Sequence, residues 1–281
     1  MQSPMTGRVL IIAGSDSGGG AGIQADIKTV TCLRGYAATA ITALTAQNTH
    51  GVFGVHEVPL DFIAQQISLV LTDLGADCLK TGMLASGAII DTVADTLEAH
   101  GGGIPLVVDP VMVAKGGAPL LAEQAVAALK TRLIARATVV TPNIPEAEVL
   151  AGFTIRGVDG MRRAGRAILA LGPQAVLLKG GHLEGHQVID LMLQRDGTEL
   201  LFANARLDTR HTHGTGCTLA SATATGIAQG LSIAEAVVRA RHYVRRAIER
   251  APGLGGGHGP LDHGHTVADF ESTLSPETGG S

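Results

Sequence analysis

Aromatic residues are scarce in this sequence of 281 residues, which contains no tryptophan, two tyrosines and five phenylalanines. So few rings leave little material for platforms that stack nucleic-acid bases. Charge is also sparse, since Asp, Glu, Lys and Arg make up 16% of the chain and the net charge is −4 without a basic run. This composition argues against a nucleic-acid or acidic-membrane partner, and we expect small-molecule ligands.

Cysteine is rare as well. Cys32, Cys78 and Cys217 are odd in number, lie far apart and form no C-x-x-C pair, which argues against a disulfide framework and a structural zinc site. The apolar run 9–13 is too short for the core of a signal peptide. No stretch reaches the ~18 apolar residues of a membrane span, so we expect a cytoplasmic protein.

Short β-branched runs alternate with amphipathic segments along most of the chain. Strands are predicted at residues 9–13, 38–44, 78–81, 106–108, 138–141, 175–178, 188–193 and 200–203, the last two joined by the hairpin signal Asp196-Gly197. Helices are predicted at residues 21–33, 61–71, 86–97, 122–133, 161–171, 217–229 and 234–250. The alternation indicates an α/β fold with a mainly parallel sheet and helices on both faces.

No linker, internal repeat or break in composition interrupts this pattern, so we expect a single domain over 1–281, in which residues 252–281 form a loop and tail rich in Gly and His. In sheets of this kind, ligands bind beyond the carboxyl ends of the strands. Candidate functional residues are therefore sought there.

The segment 211–218, HTHGTGCT, opens the helix predicted at 217–229. A glycine-rich turn that enters a helix directs backbone N–H groups at one point, which suits a phosphate or an oxyanion. By itself the motif is equally consistent with an ordinary turn. Cys217 could supply a reactive thiol or a base at the helix start, although a buried cysteine that only fills space is the commoner case.

A second glycine-rich segment, AGSDSGGGAG at 13–22, also joins a strand to a helix. Its glycines allow close approach of the backbone to a ligand, but it matches neither the P-loop nor the dinucleotide-binding pattern. Asp26 follows on the helix, where it is either an exposed residue or a carboxylate directed at a substrate hydroxyl. The spacing does not decide between these alternatives.

Polar residues follow three further strands. Asn143 and Glu146 in TPNIPE offer oxygen ligands for Mg²⁺, although alone the motif fits better as a helix start with Asn143 as the N-cap. Lys179 precedes two glycines and could reach phosphate oxygens, although alone it could be a surface lysine. Asp109 ends another strand. Together these strand ends supply what phosphoryl transfer requires: anion-binding amides, a cation and Mg²⁺ ligands.

At this level of detail the chain closely resembles the hydroxymethylpyrimidine and phosphomethylpyrimidine kinases of thiamin biosynthesis, a branch of the ribokinase superfamily. The resemblance spans residues 11 to 218 and lies in the segments IAGSDSGGGAGIQADIKT, ITALTAQNT, KTGML, VVDPVM, TPNIPEAEVL, LLKGGH and THGTGCT. It implies a ribokinase-like three-layer sandwich that uses ATP and Mg²⁺, and it implies a homodimer.

The resemblance also implies roles for individual residues. The amide of Gln47 would hydrogen-bond the edge of the aminopyrimidine, and the substrate pocket would further contain Gly14, Ala21, Asp26, Met83 and Val113. The ATP phosphates are assigned to Lys179, Asp109 and Thr215, and Mg²⁺ is assigned to Asn143 and Glu146. Gly214 and Gly216 would form the anion hole. Cys217 stands where many ribokinase-like enzymes have an aspartate base, so we assign it as base or positioning group.

Three further segments are interpreted separately. The loop around Lys115-Gly116-Gly117 is predicted to cover the site as a flap, on the strength of its glycines. The sequence Asp208-Thr-Arg-His211 departs from the Asn that is usual in the family before THGTGC, which leaves the nearby nucleotide contacts undefined. In the tail a Gly-Pro pair followed by His263 is family-like, and the further histidines there fit a Gly/His-rich tail better than a metal site.

The expected activity is phosphorylation by ATP of 4-amino-5-hydroxymethyl-2-methylpyrimidine and then of its monophosphate. A pyridoxal or pyridoxine kinase is the alternative on the same fold, because the substrates share a ring with a hydroxymethyl group. A non-catalytic pyrimidine-binding module is the alternative outside enzymes.

Overall fold

The computed structural model describes residues 6–113, 120–121, 125–182 and 185–268. Within these ranges the strands are β1 Arg8–Asp16, β2 Tyr36–Asn48, β3 Gly51–Glu57, β4 Cys78–Thr81, β5 Leu106–Val108, β6 Val139–Val140, β7 Ala175–Leu178, β8 Gln187–Gln194 and β9 Glu199–Ala205. The α-helices are α1 Gly22–Cys32, α2 Leu60–Asp73, α3 Gly87–His100, α4 Ala125–Ala128, α5 Ile144–Ala151, α6 Gly157–Leu169, α7 Thr215–Ala228 and α8 Ile233–Glu249.

All of these strands belong to one sheet in the order β3-β2-β1-β4-β5-β6-β7-β8-β9. The block from β2 to β7 is parallel, whereas β3 pairs antiparallel with β2, and β8 and β9 continue antiparallel beyond β7. The chain leaves β1 for β2 on one side and returns to β4 on the other. This reversal opens a crevice at the carboxyl ends of the central strands, where ligands bind in α/β sheets.

The two faces of β1 explain the three layers. Alternate residues of a strand point to opposite faces of a sheet. Leu10 and Ile12 are buried in one core cluster with side chains of α2, α3, α5 and α6. Val9 and Ile11 are buried on the other face, against α1 and α7. The predicted α/β sandwich is thus confirmed, with these two clusters on opposite faces of the sheet. A third cluster packs α7 and α8 against β7 and β8.

The structure differs from the predicted elements in several places. Helix α5 was predicted only as a helix start, and helix α6 begins at Gly157 rather than at residue 161. Strand β2 continues to Asn48, and β3, which was not predicted, forms an antiparallel pair with it. Helix α2 begins one residue earlier than predicted, with Pro59 as its N-cap. In the described part of the helix predicted at 122–133, four α-helical residues are followed by a π-helical turn at Leu129–Leu133.

The described part of the tail is irregular except for a short 3₁₀ turn at His263–Thr266. It packs against the start of α7: the Gly259 carbonyl accepts the backbone N–H of His213, and His263 Nε2 lies 2.9 Å from Thr218 Oγ1. None of the helices in the described ranges is long and apolar enough to cross a membrane. The predicted flap at 115–117 lies outside the described residues.

Candidate active site

A cavity of about 960 Å³ lies at the carboxyl ends of the parallel strands, above the start of α7. Its lining brings together residues that are far apart in the sequence. Thirteen of the fourteen predicted site residues line it: Gly14, Ala21, Gln47, Met83, Asp109, Val113, Asn143, Glu146, Lys179, Gly214, Thr215, Gly216 and Cys217. The fourteenth, Asp26, is not part of the lining.

The turn before α7 is built for close backbone contact. Gly214 is the N-cap of α7 and has φ +81°, and a Cβ at this position would collide with the carbonyl of Gly20. Only glycine combines that conformation with so close a neighbour. The first N–H groups of a helix have no acceptor within the helix. Of the amides that follow Gly214, that of Thr215 donates to the Thr212 carbonyl at 3.3 Å, so those of Gly216 and Cys217 are the candidates for the predicted anion hole.

Cys217 lies in the first turn of α7 beside Lys80 and the backbone N–H of Gly22. Burial raises the pKa of the thiol to about 12, although the charge of Lys80 acts in the opposite direction. The sulfur is therefore a protonated thiol near neutral pH. A thiol of raised pKa is better suited to hydrogen-bond a substrate hydroxyl than to act as a standing thiolate base.

Lys179 supplies a positive charge at the end of β7. Its Nζ lies 3.0 Å from Asp109 Oδ1, which also accepts a hydrogen bond from Thr141 Oγ1. Burial lowers the pKa of Lys179, but the carboxylates of Asp109 and Glu146 outweigh burial, and the net pKa is raised. The lysine is therefore charged. Asp109 thus forms an ion pair with the lysine that is predicted to meet the ATP phosphates.

Asn143 and Glu146 form a capping box at the start of α5. The Asn143 side chain accepts the N–H of Glu146, and Glu146 Oε2 accepts the N–H of Asn143 at 2.8 Å. Burial raises the pKa of Glu146 to about 7, and the charge of Lys179 limits the rise. The helix-start interpretation of this motif is thereby confirmed.

The donor set fits Mg²⁺ bound mainly through nucleotide phosphates and water. In the described ranges, His, Cys, Asp and Glu side chains form no cluster of three or more that could hold a metal ion. Asp109 and Glu146 are two carboxylates close enough for Asp109 to raise the pKa of Glu146. One or two carboxylates with substrate phosphates are the usual protein ligands of Mg²⁺. These two residues would hold the ion, and Asn143 acts through the cap.

Asp26 lies beneath the cavity in a buried ion pair. Its Oδ2 is 2.7 Å from Lys80 Nζ, both side chains are 0% exposed, and Ser221 Oγ donates to Asp26 Oδ1 at 2.6 Å. Lys80 itself lines the cavity. Lys80 was not among the predicted site residues, although a lysine inside the apolar strand β4 is a signal in itself, because lysine is rarely buried without a partner.

Two further residues of the lining were missed, Asp16 and His213. Asp16 accepts N–H groups of the glycine-rich loop and lies 2.8 Å from His213 Nε2. Burial raises the pKa of Asp16, but the hydrogen bonds from His213, Ala21 and Gly18 together lower it by more than burial raises it. The net pKa is therefore lowered. The only acidic residue among the loop glycines was the signal available for Asp16.

Comparison with known proteins places the chain in a family. The family model for phosphomethylpyrimidine kinase matches residues 16–262. The hydroxymethylpyrimidine/phosphomethylpyrimidine kinase of Streptomyces coelicolor is 49% identical, over 93% of this chain and 96% of the relative. The thiamine biosynthesis bifunctional protein ThiED of Geobacter sulfurreducens is 52% identical over 92% of this chain, and the match spans 52% of that protein.

Solved structures show the same fold. Bacillus subtilis pyridoxal kinase in an ADP complex superimposes with a TM-score of 0.85 at 36% identity, covering 92% of this chain and 97% of that one. Phosphomethylpyrimidine kinase of Clostridium difficile gives a TM-score of 0.77 at 42% identity, covering 86% and 99%. These matches confirm the resemblance drawn from the sequence motifs: the chain belongs to the phosphomethylpyrimidine kinase family.

Proposed function

We propose that this protein transfers the γ-phosphate of ATP to the hydroxyl of 4-amino-5-hydroxymethyl-2-methylpyrimidine, and then phosphorylates the monophosphate to the diphosphate. One observation carries the proposal: a single cavity joins the amide of Gln47 to the anion-hole turn at Gly214–Cys217 and to the charged Lys179. An aminopyrimidine edge and a transferring phosphate can therefore be held in one site. The identities of 49% and 52% to proteins named for thiamin-pathway activities support this substrate.

Each part of the cavity has a task in this reaction. Gln47 binds the ring edge, since an amide both donates and accepts. Cys217 holds the substrate hydroxyl at the start of α7, and the amides after Gly214 stabilise charge on the phosphoryl group in transfer. Lys179 orients the phosphate oxygens. Mg²⁺, when bound at Asp109 and Glu146, would neutralise phosphate charge.

Such a reaction needs little removal of the hydroxyl proton before the transition state, because phosphoryl transfer passes through a loose arrangement with weak bonding to the nucleophile. A thiol of raised pKa is compatible with this demand. Positioning and electrostatic stabilisation are the main contributions that the protein has to make. The second phosphorylation uses the same residues, with the phosphate of the first product as the acceptor.

A pyridoxal kinase activity is the second candidate, because solved pyridoxal kinases superimpose with TM-scores of 0.84 to 0.85. The experiment that separates the candidates is phosphorus NMR of the protein with ATP, Mg²⁺ and either hydroxymethylpyrimidine or pyridoxal. Pyrimidine monophosphate followed by diphosphate would support the proposal. Turnover of pyridoxal alone would replace it, and no turnover in either tube would favour a binding module.

Gln47 provides a matched variant for the same assay. Gln47→Ala removes both hydrogen bonds to the ring edge and is expected to abolish turnover of the pyrimidine. Glu98→Ala, an exposed change on α3 away from the cavity, is the control. Undiminished pyrimidine turnover in Gln47→Ala would contradict the assigned substrate.

We also propose that the protein works as a homodimer. The free edge strand β3 and the neighbouring β2 expose large apolar side chains, with Phe53 73% exposed and Leu44 and Val55 each 47% exposed. A second copy of the chain would cover them. Light scattering coupled to size exclusion tests this: a dimer that Phe53→Glu converts to a monomer supports the proposal, and a monomeric wild type contradicts it.

A further inference from the structure

Three side chains meet at the end of the cavity that is assigned to the pyrimidine. His213 Nε2 lies 2.8 Å from Asp16 Oδ2 and 3.2 Å from Gln47 Nε2. Asp16 is 3% exposed, its pKa is lowered, and its carboxylate has no proton to give. The ring nitrogen of His213 must therefore donate to Asp16, whether the imidazole is neutral or charged. In the other neutral tautomer, two lone pairs would face each other at 2.8 Å.

If His213 Nε2 donates, it cannot also accept a hydrogen bond from the amide nitrogen of Gln47. With the nitrogen of the amide on this side, two donors, His213 Nε2 and Gln47 Nε2, face each other at 3.2 Å. The opposite side of the amide shows the converse conflict. Gln47 Oε1 lies 3.2 Å from Thr45 Oγ1, and the carbonyl oxygen of Ser15 lies 2.9 Å from the same hydroxyl. The hydroxyl has one hydrogen for these two acceptors, and when it donates to the nearer one, Ser15, it turns its lone pairs to Gln47 Oε1. Two acceptors then face each other there. Exchanging the positions of the amide oxygen and nitrogen resolves both conflicts at once.

We propose that His213 and Thr45 lock the Gln47 amide in this exchanged orientation, and that they thereby determine specificity for an amino-substituted pyrimidine. In this arrangement the one hydrogen on His213 Nε2 is donated to Asp16 at 2.8 Å and faces the oxygen of Gln47, at 3.2 Å, as a weaker second acceptor. Gln47 Nε2 donates to Thr45 Oγ1, whose own hydrogen is donated to Ser15. Every polar atom of the network then has a compatible partner. The substrate named here rests on the proposed function.

The locked amide has one Oε1 lone pair and one Nε2–H left for a ligand. This is an acceptor beside a donor, which matches an exocyclic amino group beside a ring nitrogen, as in the pairing of Asn or Gln with adenine. A 4-oxo pyrimidine presents the reverse pattern, a carbonyl oxygen beside a ring N–H. An amide free to turn by 180° would bind both rings, whereas the amide held by His213 and Thr45 binds only the amino ring well.

The test compares kcat/KM for the 4-amino substrate with kcat/KM for its 4-oxo analogue. His213→Leu and Thr45→Val each remove one lock, and we expect the amino-to-oxo ratio to fall roughly 10- to 100-fold through KM, the range expected when a buried polar partner is lost. His213→Gln and Thr45→Ser restore a donor and a hydroxyl, respectively, and should recover most of the ratio.

A different role of His213 would give a different result. His213 directly precedes Gly214, so a variant that only disturbs the anion-hole turn would lower kcat for both rings equally and leave the ratio unchanged. That result, together with an unchanged ratio in Thr45→Val, would overturn the inference. A wild-type protein that phosphorylates neither ring would instead overturn the proposed function.

The orientation of the amide can also be measured without turnover. Neutron diffraction from crystals of the full chain would locate deuterium on the Gln47 nitrogen and on the His213 ring. Deuterium on His213 Nε2 and an amide nitrogen facing Thr45 Oγ1 support the inference. An amide nitrogen facing His213 would refute it, whatever the substrate proves to be.

Discussion

The two halves of the cavity hold their residues by different forces. At the ends of β1 and β2, Asp16, Gln47 and His213 are linked by directional hydrogen bonds, and each has a partner within 3.2 Å. At the ends of β5 and β7, Asp109 and Lys179 are held by opposite charges at 3.0 Å. The first half is suited to recognition of a ring by its pattern of donors and acceptors. The second is suited to the charge of phosphate.

From this difference we infer that the hydrogen-bonded half determines substrate specificity and that the charged half determines the rate of phosphoryl transfer. Hydrogen bonds that depend on orientation discriminate between similar rings, because a wrong ligand leaves buried polar groups unpaired. Charges in a site that excludes water stabilise the transition state of phosphoryl transfer with less demand on orientation. Strand β4 lies between the halves, and its Lys80 is paired with Asp26 beneath both. The following predictions test this division.

The largest effect is expected at the pair between the halves. Lys80→Met leaves Asp26 buried without its cation, and Asp26→Asn leaves Lys80 without its anion. Each change should lower the free energy of unfolding by about 3–5 kcal/mol, because an uncompensated charge remains in the core. Urea denaturation of the three proteins measures this.

The double variant Lys80→Met with Asp26→Leu is the control for that prediction, since replacing a whole buried pair by apolar residues is often neutral. It should recover most of the lost stability. Single variants within about 1 kcal/mol of wild type would show that the pair does not support the cavity floor.

The charged half is tested next, by Lys179→Met. Loss of one pre-organised cation at the transferring phosphate should lower kcat by about 10²–10³, while KM for the pyrimidine changes little. Steady-state kinetics with the pyrimidine as the varied substrate measures both constants. Lys130→Met, outside the cavity lining, is the matched control. A rise in pyrimidine KM with unchanged kcat would break the proposed division between the halves.

Much of this division could be predicted from the sequence, because the first glycine-rich turn, Asn143, Glu146 and Lys179 all follow predicted strands, and the second glycine-rich turn opens a predicted helix. The parallel block of the sheet then brings their ends to one rim, since the carboxyl ends of parallel strands share an edge. The residues that a motif places directly after a strand are thus the ones that sequence reasoning can locate.

What could not be predicted depends on contacts between distant segments. His213 reaches Asp16 across 197 positions, and Ser221 reaches Asp26 across 195. No local pattern encodes such pairs. The same limit applies to Asp26, whose position on α1 left open whether it faces solvent or substrate, while the fold directs it to Lys80. Strand β3 was missed because its pairing with β2 puts mostly exposed residues on an edge strand.

The third prediction concerns the pH dependence of stability through Glu146. Its pKa is about 7 in the folded protein and 4.5 as an ordinary glutamate. Between these values the folded state binds more protons than the unfolded state, so stability falls as pH rises through this window. Glu146→Gln keeps an oxygen for the capping box and removes the charge. At pH 8 it should therefore be more stable than wild type by about 1–3 kcal/mol, with the difference vanishing near pH 4.

Chemical denaturation of both proteins across this pH range provides the comparison. A Glu146→Gln protein less stable than wild type at pH 8 would mean that the attraction to Lys179 outweighs burial. Glu146 would then contribute to the charged half by stabilising it.

The smallest effect is expected in the tail, which contacts Thr218 of α7 and the backbone of His213. His263 is 4% exposed, and burial lowers its pKa to about 4, so it is neutral where an ordinary histidine of pKa 6.5 begins to take up a proton. Between pH 6.5 and 4 the unfolded state binds the extra proton, and His263 therefore makes stability fall as pH falls through this window.

His263→Asn should lose about 1–2 kcal/mol of stability at pH 7 through the contact with Thr218, and it should lose less stability on acidification than wild type does. Denaturation at pH 7 and pH 5 tests both statements, with the exposed His258→Asn as control.

If the tail supports recognition, His263→Asn should also raise the KM for the pyrimidine more than it lowers kcat, because Gly259 in the same segment holds the backbone of His213. An equal loss in both halves would instead make the tail a brace for α7 as a whole.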